Sequence, residues 1–235
     1  MVKKLASVAR CLLLLILVWA NALTRDETTA QLQVYWDQYL QNHPQQVSSS
    51  LNYSLFFDHD KFIESYVDEI RGSLNYTSLV SLRRLRATAV LTKAALLIPH
   101  GDIVETGVFK GGTAAIIMRM LIDFDLKGRQ FYAFDSFDGL PSPDEKYDGP
   151  GINKGGFGYK GLQFDMFASQ EDFEKNMKSW KAWNTTIIRV VKGFFNTTLP
   201  VSTVKKISFL RLDGYIVTST YDGLKYLYRK VVPGG

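Results

Sequence analysis

Cysteine is nearly absent from this 235-residue chain, which contains only Cys11. A disulfide needs two cysteines and a thiolate zinc site needs more, so the sequence excludes both within the chain. Histidine is scarce as well. The three histidines are scattered, at positions 43, 59 and 100, which favours loop or surface roles over catalysis.

Acidic residues are absent from the first 22 residues, where three basic residues precede and flank an apolar run that ends at Ala20. Ala20-Asn21-Ala22 matches a small-x-small cleavage site, so we interpret residues 1–22 as a signal peptide. An uncleaved type II signal anchor remains open, although the run is shorter than the roughly 20 apolar residues of a membrane span. Either form predicts the secretory pathway, in the ER or Golgi lumen or outside the cell. Four glycosylation sequons agree with it, at Asn52, Asn75, Asn184 and Asn196.

Clusters of basic residues with interleaved aromatics are also lacking. The formal net charge is +5, and it falls to +2 without the three basic residues of the leader. The run SLRRLRA at 81–87 fits one face of a helix. We therefore expect no nucleic-acid partner.

Short apolar strands alternate with helical patterns through the second half of the chain. We expect a leader at 1–22, a lead-in, stem or cap at 23–76, and one domain at 77–235. The predicted strands are 102–106, 130–135, 186–191 and 206–213; the predicted helices are 77–98, 111–124, 169–183 and 219–232; and 136–168 is predicted to be a loop. This alternation predicts an α/β fold with a doubly wound, mostly parallel sheet.

The predicted sheet has only four strands, and the chain ends where another strand is due. An inner, apolar strand would then lie at the edge. We interpret the domain as C-terminally truncated. A minimal domain whose lead-in covers that edge is the alternative.

A glycine-rich turn, ETGVFKGGT at 105–113, follows the first strand. Gly107 allows a sharp turn, Gly111 and Gly112 allow a ligand to approach the backbone, and the next helix offers unpaired N–H groups. Phe109 stands where a dinucleotide fingerprint has its second glycine, which disfavours a nicotinamide cofactor. The spacing suits a ligand with an amino-acid part and a nucleoside, such as S-adenosylmethionine. A plain strand–helix turn is the other interpretation.

Two acids close the first two strands, Glu105 and Asp135. An acid at the end of the second strand can accept hydrogen bonds from both ribose hydroxyls. A loop acid without a ligand is the alternative for Asp135, but an acid on each of two neighbouring strands favours a nucleoside site.

Four segments of the chain resemble macrocin-type O-methyltransferases, in the order and spacing of that family, from about residue 77 to the end. They are DIVETGVFKGGTAAIIMRMLI, FYAFDSFDGLPSPD, VVKGFFNTTLP and ISFLRLDGYIVTSTYDGLKYLYRKVVPGG. The resemblance implies a Rossmann-like class I methyltransferase fold, S-adenosylmethionine as cofactor, and methylation of a sugar hydroxyl on a small molecule or glycan, assisted by Mg²⁺. It leaves the oligomeric state open, a homo-oligomer included.

The resemblance also implies roles for particular residues. Cofactor-binding residues would be Glu105, Thr106, Gly107 and Gly111 at the methionine end, Asp135 and Ser136 at the ribose, and Gly193 and Phe194 near the adenine. Asp213 would be a metal ligand and the catalytic base, because a metal and a carboxylate together activate a hydroxyl. The segment 136–149 would help to cover the substrate pocket; its acids could also ligate calcium, although a solvated loop is favoured.

The chain departs from the family pattern at two points. Tyr215 stands where the family has the second aspartate of Leu-Asp-Gly-Asp, and the Asp-Asp pair that follows Pro-Gly-Gly in the family lies beyond the last residue given. These departures support an alternative, a catalytically degenerate protein that keeps the methyltransferase fold and serves in binding.

Overall fold

The computed structural model of the chain describes residues 67–68, 70, 80–125, 128–144, 146–148, 152–153, 156–159, 162–165 and 167–235. The described helices and strands belong to one compact unit, Asn52–Pro233. The predicted leader, most of the predicted lead-in, and the sequons at Asn52 and Asn75 lie outside the described residues. None of the described helices has the length and apolar content needed to cross a membrane.

The described part of the chain is an α/β structure. Its helices are α1 (Leu82–Leu97), α2 (Gly112–Phe124), α3 (Gln170–Ser179), α4 (Phe195–Thr198) and α5 (Val217–Leu227), and a 3₁₀ turn follows at Tyr228–Lys230. Its strands are β1 (Asp102–Thr106), β2 (Phe131–Asp135), β3 (Ile152–Asn153), β4 (Gly156–Tyr159), β5 (Leu162–Asp165), β6 (Ile188–Lys192) and β7 (Ile207–Leu212). A parallel sheet has the order β6-β2-β1-β7, and β3, β4 and β5 pair antiparallel in a second, small sheet. The predicted doubly wound, mostly parallel sheet is confirmed.

The parallel sheet is covered on both faces. Successive residues of a strand point to opposite sides of the sheet, so neighbouring residues of β1 belong to different cores. Ile103 packs with apolar residues of α1, α2 and α3 on one face. Val104, the next residue of β1, packs with residues of α4 and α5 on the other face. Val67 and Ile70, from the predicted lead-in, are buried in the first of these two cores.

Several predicted boundaries differ from the observed ones. The predicted loop 136–168 contains β3, β4 and β5, which are only two to four residues long and therefore too short for a sequence pattern to identify. Helix α3 ends at Ser179 rather than residue 183, and Lys181 adopts a positive φ of 54°, which a helix cannot accommodate. Helix α1 begins only after Ser81, whose hydroxyl accepts a hydrogen bond from the Arg84 N–H.

Candidate active site

A cleft of about 620 Å³ lies at the carboxyl ends of the parallel strands. This is the place where open α/β sheets bind ligands. Five of the predicted site residues line it, namely Gly107, Asp135, Ser136, Phe194 and Asp213. The other four, Glu105, Thr106, Gly111 and Gly193, are not among its lining residues.

Gly107 joins the ends of three strands. Its N–H donates to the carbonyl of Phe134, while the Asp213 N–H donates to the carbonyl of Thr106, the preceding residue. Gly107 has a φ of +85°, and a Cβ placed on it would lie 2.2 Å from the Asp213 carbonyl oxygen. Only glycine fits here, because a side chain would push the end of β7 away from the end of β1.

Asp135 holds the glycine turn in place. Its Oδ2 accepts a hydrogen bond of 2.9 Å from the Phe109 N–H, and its Oδ1 accepts one of 3.0 Å from the Phe137 N–H. Phe109, at the position of the missing second glycine, has a φ of 50°. A carboxylate has about four lone-pair sites, so these two bonds leave acceptor capacity for ribose hydroxyls.

The first turn of α2 presents backbone N–H groups to the cleft, through Gly112 and Thr113. Its N-cap, Gly111, has no side chain with which to cap them. A Cβ on Gly111 would lie 3.1 Å from the Phe173 ring and 3.2 Å from the Met177 sulfur. Gly111 therefore allows α3 to pack against the turn. The predicted role of Gly111 was the close approach of a ligand, and Gly111 does not line the cleft.

Glu105 and Thr106 are buried below the cleft, with 0% and 1% of their surface exposed. Within the described part of the chain, the Glu105 Oε2 and Thr106 Oγ1 atoms have no hydrogen-bond partner. Burial raises the pKa of the Glu105 carboxyl, against the opposing effects of Arg211 and Thr113. Neither oxygen is open to the cleft, so both lie behind the surface that a ligand would contact.

The predicted ribose and adenine residues lie side by side at the ends of β2 and β6. The Ser136 hydroxyl donates to the Gly139 carbonyl and accepts from the Asp138 N–H, so it shapes the loop after β2. The Gly193 N–H donates to the carbonyl of Asp135, which brings Phe194 to the cleft beside that acid.

Asp213 forms an ion pair with Arg211, a residue that the sequence analysis did not select. The Arg211 Nη2 lies 2.8 Å from the Asp213 Oδ2, and the Arg211 Nη1 lies 2.7 Å from the Glu105 Oε1. Burial pulls the pKa of Arg211 down, but the charges of both carboxylates outweigh burial and the pKa is raised. The sequence signal for this contact is a basic residue near the end of β7, three positions before Gly214, together with an acid near the end of β1, two positions before Gly107.

The described residues do not fit the predicted magnesium site. Among them, no three histidine, cysteine or acidic side chains are grouped to hold a metal. One oxygen of Asp213 is already paired with a guanidinium. Tyr215, at the position of the second aspartate, is 44% exposed in the cleft wall and is a poor ligand for magnesium.

A segment from the long loop, residues 139–144, forms the outer wall of the cleft. It is joined to α5 by Asp148, whose Oδ1 accepts a 2.6 Å hydrogen bond from the Val217 N–H. The Asp148 Oδ2 accepts another from the Asp144 N–H, at 2.8 Å. The carboxylates of both Asp144 and Asp148 thus accept hydrogen bonds from backbone N–H groups. This supports the interpretation of the segment as a covering loop rather than a calcium site.

The sheet order, the glycine turn and the cleft at the strand ends define a class I methyltransferase fold. The solved O-methyltransferase NovP is similar in fold, with a TM-score of 0.61 and 23% sequence identity over 73% of this chain and 79% of that one. The chain belongs to the macrocin-O-methyltransferase (TylF) family, whose members it matches over residues 13–235. This match is longer than the resemblance from residue 77, and it begins within the apolar run of the predicted leader.

Two curated relatives are similar in sequence. Demethyldecarbamoylnovobiocin O-methyltransferase of Streptomyces niveus is 33% identical over 136 residues, which is 57% of this chain and 50% of that protein. The 8-demethyl-8-(2,3-dimethoxy-alpha-L-rhamnosyl)-tetracenomycin-C 4'-O-methyltransferase of Streptomyces olivaceus is 27% identical over 160 residues, or 67% and 59%. The chain thus spans between half and three fifths of the length of these relatives.

Proposed function

We propose that the chain binds S-adenosylmethionine in this cleft as part of an O-methyltransferase that acts on a sugar hydroxyl. The observation that carries the proposal is that two features line the same cleft. The first turn of α2, whose N-cap is a glycine, lines it at Gly112 and Thr113, and the Asp135 carboxylate, which braces the glycine turn, lines it as well. A ligand with an amino-acid end and a ribose needs both.

The residues present fit the parts of that cofactor. A helix N-terminus favours the carboxylate of its methionine part. Asp135, which lines the cleft, would accept from its ribose hydroxyls, and the buried Glu105 would act through Thr113, which does line the cleft. Phe194 would contact the adenine, as the family resemblance implies.

The chemistry is a direct transfer. S-adenosylmethionine, when bound, supplies a methyl group on a positively charged sulfur. The acceptor oxygen would form its bond to the methyl carbon as the carbon–sulfur bond breaks, which leaves S-adenosylhomocysteine, and Asp213, the acid at the end of β7, would take the hydroxyl proton. The contribution of the protein is to align acceptor, methyl group and base. A sugar acceptor is supported by the rhamnosyl group in the name of one relative.

Binding of S-adenosylhomocysteine, the demethylated product, tests the cofactor half directly. We expect isothermal titration calorimetry to detect it with the 235-residue chain, and Asp135→Ala to weaken it by about tenfold or more, since charge-assisted hydrogen bonds are lost. Asp123→Ala is the matched control, because it removes an acid on α2 whose side chain is 35% exposed and lies outside the residues that line the cleft. A folded wild-type chain that gives no heat at millimolar ligand contradicts the proposal.

One observation favours a second candidate, a binding protein without turnover. Tyr215 replaces a family carboxylate in the cleft wall, and Asp213 is held by a guanidinium. The two candidates differ in methyl transfer from labelled S-adenosylmethionine to a panel of rhamnosides and other glycosides. Product above the level of an Asp213→Asn variant supports the enzyme; tight cofactor binding without any product supports the binding protein.

A further inference from the structure

Arg211 and Glu105 are direct neighbours in the sheet, because β1 and β7 pair with these two residues in register. The Glu105 side chain is 0% exposed, that of Arg211 14% and that of Asp213 40%. The guanidinium therefore extends from the interior of the domain to the surface of the cleft, with one carboxylate at each end.

Glu105 carries this connection further, to α2. Its Oε1 accepts a 2.5 Å hydrogen bond from the Thr113 hydroxyl as well as the contact from Arg211. Thr113 belongs to the first turn of α2 and lines the cleft. A continuous chain of side chains, from Asp213 through Arg211 and Glu105 to Thr113, thus runs beneath the cleft from β7 to α2.

The contacts between these four side chains require an arginine at position 211. A buried carboxylate such as Glu105 is costly unless it is paired, and the Arg211 contact supplies the pairing. A planar guanidinium presents donors in a fixed fork, so it can hold two carboxylates in a defined relative orientation. A lysine ammonium supplies the same charge but not the fork.

We propose that Arg211 is a positioning residue for the cofactor site. It fixes Asp213 at the acceptor side and, through Glu105, fixes Thr113 and the first turn of α2 at the cofactor side. Arg211 itself lies outside the residues that line the cleft and acts through its partners. The proposal rests on the proposed function, since it assigns the cofactor to this cleft.

The test compares Arg211→Lys and Arg211→Met with the wild-type chain, by calorimetric titration with S-adenosylhomocysteine and by thermal unfolding. Both variants should lose about tenfold or more in affinity, since a bridging charged hydrogen bond is lost in each. Arg211→Lys keeps the charge and should remain folded at the temperature of the titration. Arg189→Met is the control, because the Arg189 guanidinium on β6 bonds to the carbonyls of a surface turn, away from the cleft.

A spectroscopic readout separates positioning from simple support of the fold. In the ¹⁵N-labelled wild type, the guanidinium resonance that disappears in Arg211→Lys should shift when S-adenosylhomocysteine is added. An affinity of Arg211→Lys within twofold of wild type, or a resonance that the ligand does not move, overturns the proposal. A wild-type chain that binds no S-adenosylhomocysteine contradicts the proposed function instead. The two failures are distinguishable, because this one is seen in the wild type, before any substitution is made.

Discussion

Two arginines, Arg129 and Arg211, lie at opposite ends of the parallel sheet and serve different purposes. Arg129 lies at the amino ends of the strands, where it donates to the carbonyls of Ala95, Leu96, Ile98 and Gly101 and pairs with Asp125. Arg211 lies at the carboxyl ends and pairs with two carboxylates, one of which faces the cleft.

The difference lies in what each guanidinium satisfies. Arg129 bonds mainly to the last carbonyls of α1 and the turn after it, groups that would otherwise be left without donors at a helix end. Its side chain is 3% exposed, so that end of the sheet is closed. Arg211 instead holds side chains that are functional candidates. A buried arginine is therefore a sign of function only when its partners reach a cleft.

Arg129→Met should have the largest effect on stability, because it removes the buried guanidinium that donates to several carbonyls and pairs with the Asp125 carboxylate. We expect the free energy of unfolding to fall by about 3–5 kcal/mol, the range for breaking a buried pair. Urea denaturation of the variant and the wild type measures this difference in the free energy of unfolding. Affinity for S-adenosylhomocysteine should be unchanged in the folded protein, the reverse of the expectation for Arg211→Lys. A loss of affinity without a loss of stability would erase the contrast between the two arginines.

Gly107→Ala should have an intermediate effect. The positive φ alone costs about 1–3 kcal/mol for a residue with a side chain, and the contact with the Asp213 carbonyl adds to it. Gly128→Ala is the matched control at the opposite end of the sheet, since Gly128 has a φ of +69° but no atom within 4 Å of its Cβ position. Equal destabilisation of both variants would show that the approach of the strand ends is unimportant.

Lys93→Met should have the smallest effect. Lys93 lies on α1, close to the carbonyls that Arg129 holds, and burial lowers its pKa from 10.5 to about 7. Between these two values the unfolded chain binds a proton that the folded chain has lost, so the free energy of unfolding rises with pH through this window.

The substitution should remove that rise and should stabilise the protein slightly below pH 7, where the folded chain carries a partly buried charge. Denaturation at several pH values measures the slope. Lys178→Met, at a lysine whose side chain is 57% exposed, should leave the slope as it is. If Lys93→Met also leaves it unchanged, the lysine is not desolvated.

The sequence predicts the strands at the centre of the sheet to within one residue, because β1 and β2 are apolar runs that end in an acid. It also places Gly107, Asp135 and Asp213 at the cleft, since the carboxyl ends of parallel strands share one edge. These predictions depend on local patterns, which a single sequence contains.

The sequence does not predict what depends on the register of distant strands. Arg211 and Glu105 are 106 positions apart, and only the pairing of β1 with β7 brings them together. The same pairing sets Glu105 against Arg211 and Thr113, below the cleft and off its surface. The packing of Gly111 and Gly193 is unpredicted for a related reason, since the atoms that approach them come from α3 and α4.

Asp148 has a mechanical consequence for the cleft. Its carboxylate caps the first turn of α5, whose own N-cap residue, Ile216, offers no side-chain bond. A movement that carries the 139–144 segment away from α5 must break this bond or the bond between Asp144 and Asp148, and loss of the first leaves the helix end without its cap. The width of the cleft is therefore coupled, through one carboxylate, to the order of a helix terminus.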